Sequence, residues 1–183
     1  MHSDILVVKT FKTKEEAKNF TGNLNDLFLK YVRYDYTRIN NYIDYTRNYY
    51  SGHNSFLTNF KEEISDDNSY LSNLEFKKTE EKNIFSLSLD AVKHKLAQRI
   101  ENLENYFRNK IRELEPSNMS DLIREIIYEL DDNYGGFKIV DITRPFEILE
   151  SENEFFSRVL KENKKTNNKE VYFIPICSLD YHF

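Results

Sequence analysis

The chain has very little that breaks regular structure: four glycines and three prolines in 183 residues. So few breakers leave room for long elements, and helices are the elements that grow long. The shortage of glycine also excludes a class of sites. Loops that cradle phosphates through backbone amides need glycines, and the chain carries no P-loop, dinucleotide fingerprint, Gly-x-Ser-x-Gly or His-Glu-x-x-His. Its single cysteine, Cys177, cannot form an intrachain disulfide, which fits a reducing compartment. No apolar run reaches the length of a membrane span. The opening Met1-His2-Ser3-Asp4 gives no basic region ahead of the short apolar stretch 5–8, so no secretion signal is expected. The expected location is the cytoplasm, away from any membrane.

Tryptophan is absent, yet 15% of residues are aromatic, with 13 Tyr and 14 Phe. Buried rings remove enough apolar surface from water to fold a chain that is 31% charged and only 39% hydrophobic. The net charge of −5 is uneven. Residues 1–50 carry eight Lys/Arg against six Asp/Glu, and residues 111–183 carry nine against fifteen. The front is too weakly basic for a typical nucleic-acid-binding domain. The back lacks the dense acidic tract of a DNA mimic.

Residues 5–11 (ILVVKTF) read as a strand. Thr13 with Glu16 three residues on has the pattern of a capping box, so a helix follows, with a break at Thr21-Gly22-Asn23. Residues 24–50 read as a helix, which Ser51-Gly52 ends, and 54–64 as a short one. Residues 70–86 fit a helix or a hairpin. In 87–114, apolar residues from Leu89 and Val92 through Leu96, Ile100, Leu103 and Phe107 to Ile111 and Leu114 recur at steps of three and four, predicting one helix that buries Leu96, Ile100, Leu103 and Phe107. Pro116 ends it, and another helix spans 117–131. Strands are expected at 137–142 and 171–179, around a helix at 151–164, and Pro175 places the last strand at a sheet edge.

The expectation is a mostly helical α+β single domain, 1–183. Two long helices, about 24–50 and 87–114, pack antiparallel in a helical body of about 13–134. A C-terminal α/β portion of about 137–183 is joined by strand 5–11, and the terminal strands form a small sheet.

The stretch 24–50 has an apolar arc of about 200°, twice what a surface helix needs. Tyr34, Tyr42, Tyr45 and Tyr49 surround Arg38 on one flank, and Asp35 near the arc's centre is expected to pair with Arg38. Tyr and Arg in such a patch are the anchors of protein interfaces, and rings interspersed with Arg also stack on unpaired bases. Tyr34, Arg38, Tyr42, Tyr45 and Tyr49 are therefore the candidate partner-binding residues.

The sharpest catalytic candidate is Arg47-Asn48-x4-His53. It resembles the Arg-x4–6-His signature of HEPN-type ribonucleases. That resemblance implies a helical core, often dimeric, in which Arg47 and His53 polarise a phosphate during metal-free RNA cleavage. The family carries the pair at a helix start, whereas the reading above puts Arg47 in a last turn with Gly52 between. His2, Cys177 and His182 lack any metal-binding spacing, so no metal or cofactor is expected. Asp141, Glu147, Glu150, Glu152 and Glu154 read as a solvated acidic face. The functional expectation is a non-enzymatic interaction protein, an accessory or inhibitor factor of a phage or mobile element, that binds a protein partner. The alternatives are a HEPN-like ribonuclease and a single-strand nucleic-acid binder, and a homo-oligomer is compatible with each.

Overall fold

A computed structural model describes residues 2–32, 50–67, 69–130, 138–144 and 148–182. The fold is α+β. Six strands form one mixed sheet, in the order β2-β3-β6-β1-β4-β5. They are β1 (His2–Phe11), β2 (Phe76–Lys78), β3 (Phe85–Ser88), β4 (Lys138–Asp141), β5 (Leu149–Ser151) and β6 (Glu170–His182). Only β1 and β4 run parallel. The sheet is thus larger than a pairing of terminal strands, because the hairpin β2–β3 extends one side. That hairpin also settles the open reading of 70–86, which forms a 3-10 turn at Tyr70–Leu74 followed by strands.

Side chains of a strand alternate between the two faces of its sheet. Ile5, Leu6, Val7 and Val8 of β1 are nevertheless all fully buried, as are Ile139 and Val140 of β4. Both faces are therefore covered, which is why these strands read as continuous apolar runs. The covering helices are α1 (Lys14–Lys18), α2 (Leu24–Val32), α3 (His53–Glu63) and α6 (Glu152–Asn163), with the first turns of α4 (Leu89–Arg112). A chain of rings joins α3 to the sheet: Phe60 meets Phe85 edge-on at 5.0 Å, and Phe76 meets Phe173 at 4.3 Å.

Local sequence explains the boundaries. The Thr13 hydroxyl accepts from the Glu16 amide, and the Glu16 carboxylate accepts from Thr13, closing the expected capping box. Ser151 and Glu154 close a second one at α6. Ser88 caps α4 by accepting from Ala91. The chain pauses between Lys18 and Leu24, as the Thr21-Gly22-Asn23 reading expects.

Two expectations need correction. Pro175 does not mark an edge: β6 lies between β3 and β1. The register slips between Val7, opposite Cys177, and Val8, opposite Pro175, so Ile176 is an extra residue at a bulge. The β3 ladder has already ended at Phe173. A residue without an N–H is tolerated at such a point. The second correction concerns α4. Leu89 and Val92 are buried at 5% and 0% exposure, but Ile100 is 66% exposed, and Leu96, Leu103 and Phe107 are only half-buried. The core ends near Leu96, and the helix continues beyond it.

Of the expected helix 24–50, the described part is α2, with Phe28, Tyr31 and Val32 buried. The Asp35–Arg38 pair lies outside the described residues.

Candidate interaction surface

The distal part of α4 and α5 (Met119–Leu130) form a helical hairpin. Arg99 pairs with Glu129 at 3.3 Å, and Lys110, further along α4, pairs with Glu125 at 2.7 Å. Numbers that rise on one helix as they fall on the other mean that the helices are antiparallel. Arg99, Leu103, Tyr106 and Lys110 form the inward side of α4, and Leu122, Ile126 and Glu129 that of α5. Leu122 is buried without belonging to the main core, so the hairpin makes its own small apolar seam.

A second apolar stripe lies beside that seam on each helix. On α4 it is Ile100, Phe107, Ile111 and, just past the helix, Leu114; on α5 it is Met119, Ile123 and Ile127. At 100° per residue, each stripe is displaced by about 80° from the inward side, in the direction of increasing residue number. Because the helices run in opposite directions, these displacements bring both stripes to the same side of the hairpin. The result is one continuous face. Ile111 is 65% exposed, Ile127 55% and Ile123 49%. Ile100, Leu114 and Met119 are exposed beside them, and a contiguous apolar patch of this kind marks an interaction site.

A cavity of about 790 Å³ lies at the carboxyl ends of the parallel pair β1 and β4. Ligands of open α/β sheets favour that position. Its wall contains a charge cluster. Asp141 accepts from the Thr10 hydroxyl at 2.6 Å, from the Thr143 amide and hydroxyl at 3.0 and 2.8 Å, and from Arg158 at 3.0 Å. Glu150 accepts from Arg158 at 2.8 Å and from Arg144 at 2.9 Å, and Glu162 accepts from Arg158 at 3.2 Å. Burial pulls the Arg158 guanidinium towards the neutral form, but the Glu150 hydrogen bonds and the charges of Asp141, Glu150 and Glu162 outweigh it and raise its pKa. The reading of these carboxylates as a solvated face is therefore corrected: Asp141 and Glu150 are buried and paired with Arg158. Glu152 pairs with Lys95, Glu154 caps α6, and Glu147 lies outside the described residues. The cluster ties β4, β5 and α6 together, and its donors and acceptors already answer one another.

Among the sequence candidates, Tyr34, Arg38, Tyr42, Tyr45, Tyr49 and Arg47 lie outside the described residues. His53 opens α3 and is buried. Its Nε2 sits 2.9 Å from the Pro175 carbonyl oxygen, and its backbone amide donates to Asn25 Oδ1. Burial lowers its pKa, and the Pro175 bond only partly opposes that, so the ring is neutral at physiological pH. The geometry gives His53 a tie between α3 and the bulge of β6. Cys177 is buried in the same strand, and burial pushes its thiol far up, away from the reactive thiolate. Among the described residues, no group of three His, Cys, Asp or Glu is placed to hold a metal, and no helix is long and apolar enough to cross a membrane.

The α4–α5 residues were visible in the sequence as an apolar repeat, but the repeat was assigned to the chain's own core. The cue to a different role is Ile123 and Ile127, adjacent to Leu122 and Ile126: paired apolar positions give α5 two apolar sides. No protein-family model, curated protein or solved structure matches the chain.

Proposed function

We propose that the chain is a non-enzymatic interaction protein that docks a protein on the α4–α5 face. The observation that carries this reading is the continuous apolar face, with Ile100, Ile111 and Ile127 each more than half exposed, on an arm that extends past the core. Its flanks decide the class of partner. Residues 89–130 carry seven Lys/Arg and eight Asp/Glu. A helix that lies on anionic lipid carries a strongly basic polar side, and a nucleic-acid surface is basic throughout. The near-balance of charge supports a protein surface instead. The charge cluster behind the cavity does not favour an enzyme, because Asp141, Glu150 and Arg158 are engaged with one another. Neither does His53, with its Nε2 on a backbone carbonyl. An accessory or inhibitor factor, the role expected from the sequence, acts through a surface of this kind.

The test is affinity capture from the native host with wild-type bait and with an Ile111→Glu/Ile123→Glu bait, after circular dichroism has established equal folding. Stoichiometric protein held by the first bait and lost from the second is the expected result. Identical recoveries from both baits refute the reading.

A further inference from the structure

We propose that the occupant of the α4–α5 face is a second copy of this chain, so that two hairpins close on one another as a four-helix unit. The inference rests on the docking role just argued and names the partner.

Three observations point to self-association. The first is shape. Both stripes lie on one side of an antiparallel pair, and two such hairpins, each offering two apolar helices, complete the arrangement of a four-helix bundle. The contact is isologous, with the same patch on each subunit. The second is charge. A patch that meets itself cannot be bordered by one sign without repelling its copy. Here the rim mixes signs: Glu104 and Arg108 pair with each other at 2.6 Å along α4, and Arg124 lies on the outer side of α5. With seven basic and eight acidic residues in 89–130, the arm is nearly neutral although the chain carries −5. The third is area. Ile100, Ile111, Leu114, Met119, Ile123 and Ile127 are all exposed on each copy, so a self-contact has apolar surface on both sides to bury, as a stable interface requires. The polar rim adds to it.

The spacing agrees. Ile100, Phe107, Ile111 and Leu114 follow steps of seven, four and three, compatible with helices that pack side by side at a shallow angle.

Sedimentation velocity of the full chain from about 1 to 100 μM tests the proposal, over the affinity range expected of such an interface. The expected result is a monomer–dimer equilibrium. Ile111→Glu/Ile123→Glu, and separately the single change Ile100→Glu, each weaken it by more than about 30-fold, the loss that marks an interface anchor. Circular dichroism establishes that each variant is folded, and wild-type sedimentation is decisive without them. A wild-type chain that stays monomeric throughout overturns the proposal. If its face-dependent capture returns a different protein, the docking reading stands; if it returns nothing, that reading fails too. A dimer unaffected by Ile100→Glu and by the double variant lies on another surface and likewise overturns the proposal.

Discussion

Leu89 and Ile100 stand on the same helix in the same apolar repeat, yet one is 5% exposed and the other 66%. Around Leu89 the chain supplies its own cover, from β3, α6 and the sheet behind them. Ile100 lies past the end of that core, where the described residues leave it largely exposed. A similar contrast holds for charge. Arg158 is enclosed by buried Asp141 and Glu150, whereas in the arm Lys110 pairs with Glu125, whose carboxylate stands half in water. Among the described residues, one region closes on itself and the other leaves an apolar face open. The periodicity of a sequence reports which side of a helix is to be buried. It does not report which molecule buries it.

The largest expected effect separates the two kinds of ion pair. Arg158→Met leaves buried Asp141 without its cation and Glu150 with Arg144 alone, and costs about 3–5 kcal/mol in urea unfolding. Lys110→Met leaves the unfolding midpoint nearly unchanged, because its partner Glu125 is solvated. Equal losses would erase the distinction between core and arm.

Next come two alanine substitutions on one helix. Leu89→Ala removes a buried side chain and costs about 2–5 kcal/mol. Ile100→Ala, measured at low protein concentration, changes stability by less than about 0.5 kcal/mol, as surface substitutions do. A large loss at Ile100 would mean that the chain itself covers the arm.

The legibility of the sequence followed the same division. The strand at 5–11, the Thr13–Glu16 box and the helix beginning near Leu89 were legible because each is fixed by neighbours within a few residues. Pro175 misled because the bulge that accommodates it depends on a register with Val7 and Val8, about 170 positions away in the chain. The Asp141–Arg158–Glu150 cluster was hidden because acidic residues near one another in sequence look solvated until a strand and a helix enclose them. Ile100, Phe107 and Ile111 are legible as members of one apolar repeat, but the repeat wrongly places Ile100 in the core, and Phe107 is only half-buried. The candidate face was therefore present in the sequence as residues, but not as a surface.

A smaller effect concerns His53, which belongs to the region that closes on itself. Its pKa in the folded chain is lowered by burial, below the ordinary value of about 6.5. Above that value both folded and unfolded chains hold a neutral ring, and the stability is fully present. Below it the unfolded chain takes up a proton that the folded chain does not, so stability falls as pH drops towards the folded value. The slope attributable to His53 is at most about 1.4 kcal/mol per pH unit. Urea midpoints between about pH 7.5 and 5 should fall less steeply in His53→Gln than in the wild type. Parallel curves would show that the ring titrates alike in both states and that it is not enclosed as described.

The central claim is that the arm is finished by another copy of the chain, and oxidative footprinting at two protein concentrations tests it most directly. Met119 and Ile123 on α5 and Ile111 on α4 should react freely in dilute protein and become protected in concentrated protein, while core residues such as Phe173 stay protected at both. Labelling of the α4–α5 face that does not change with concentration would contradict the account.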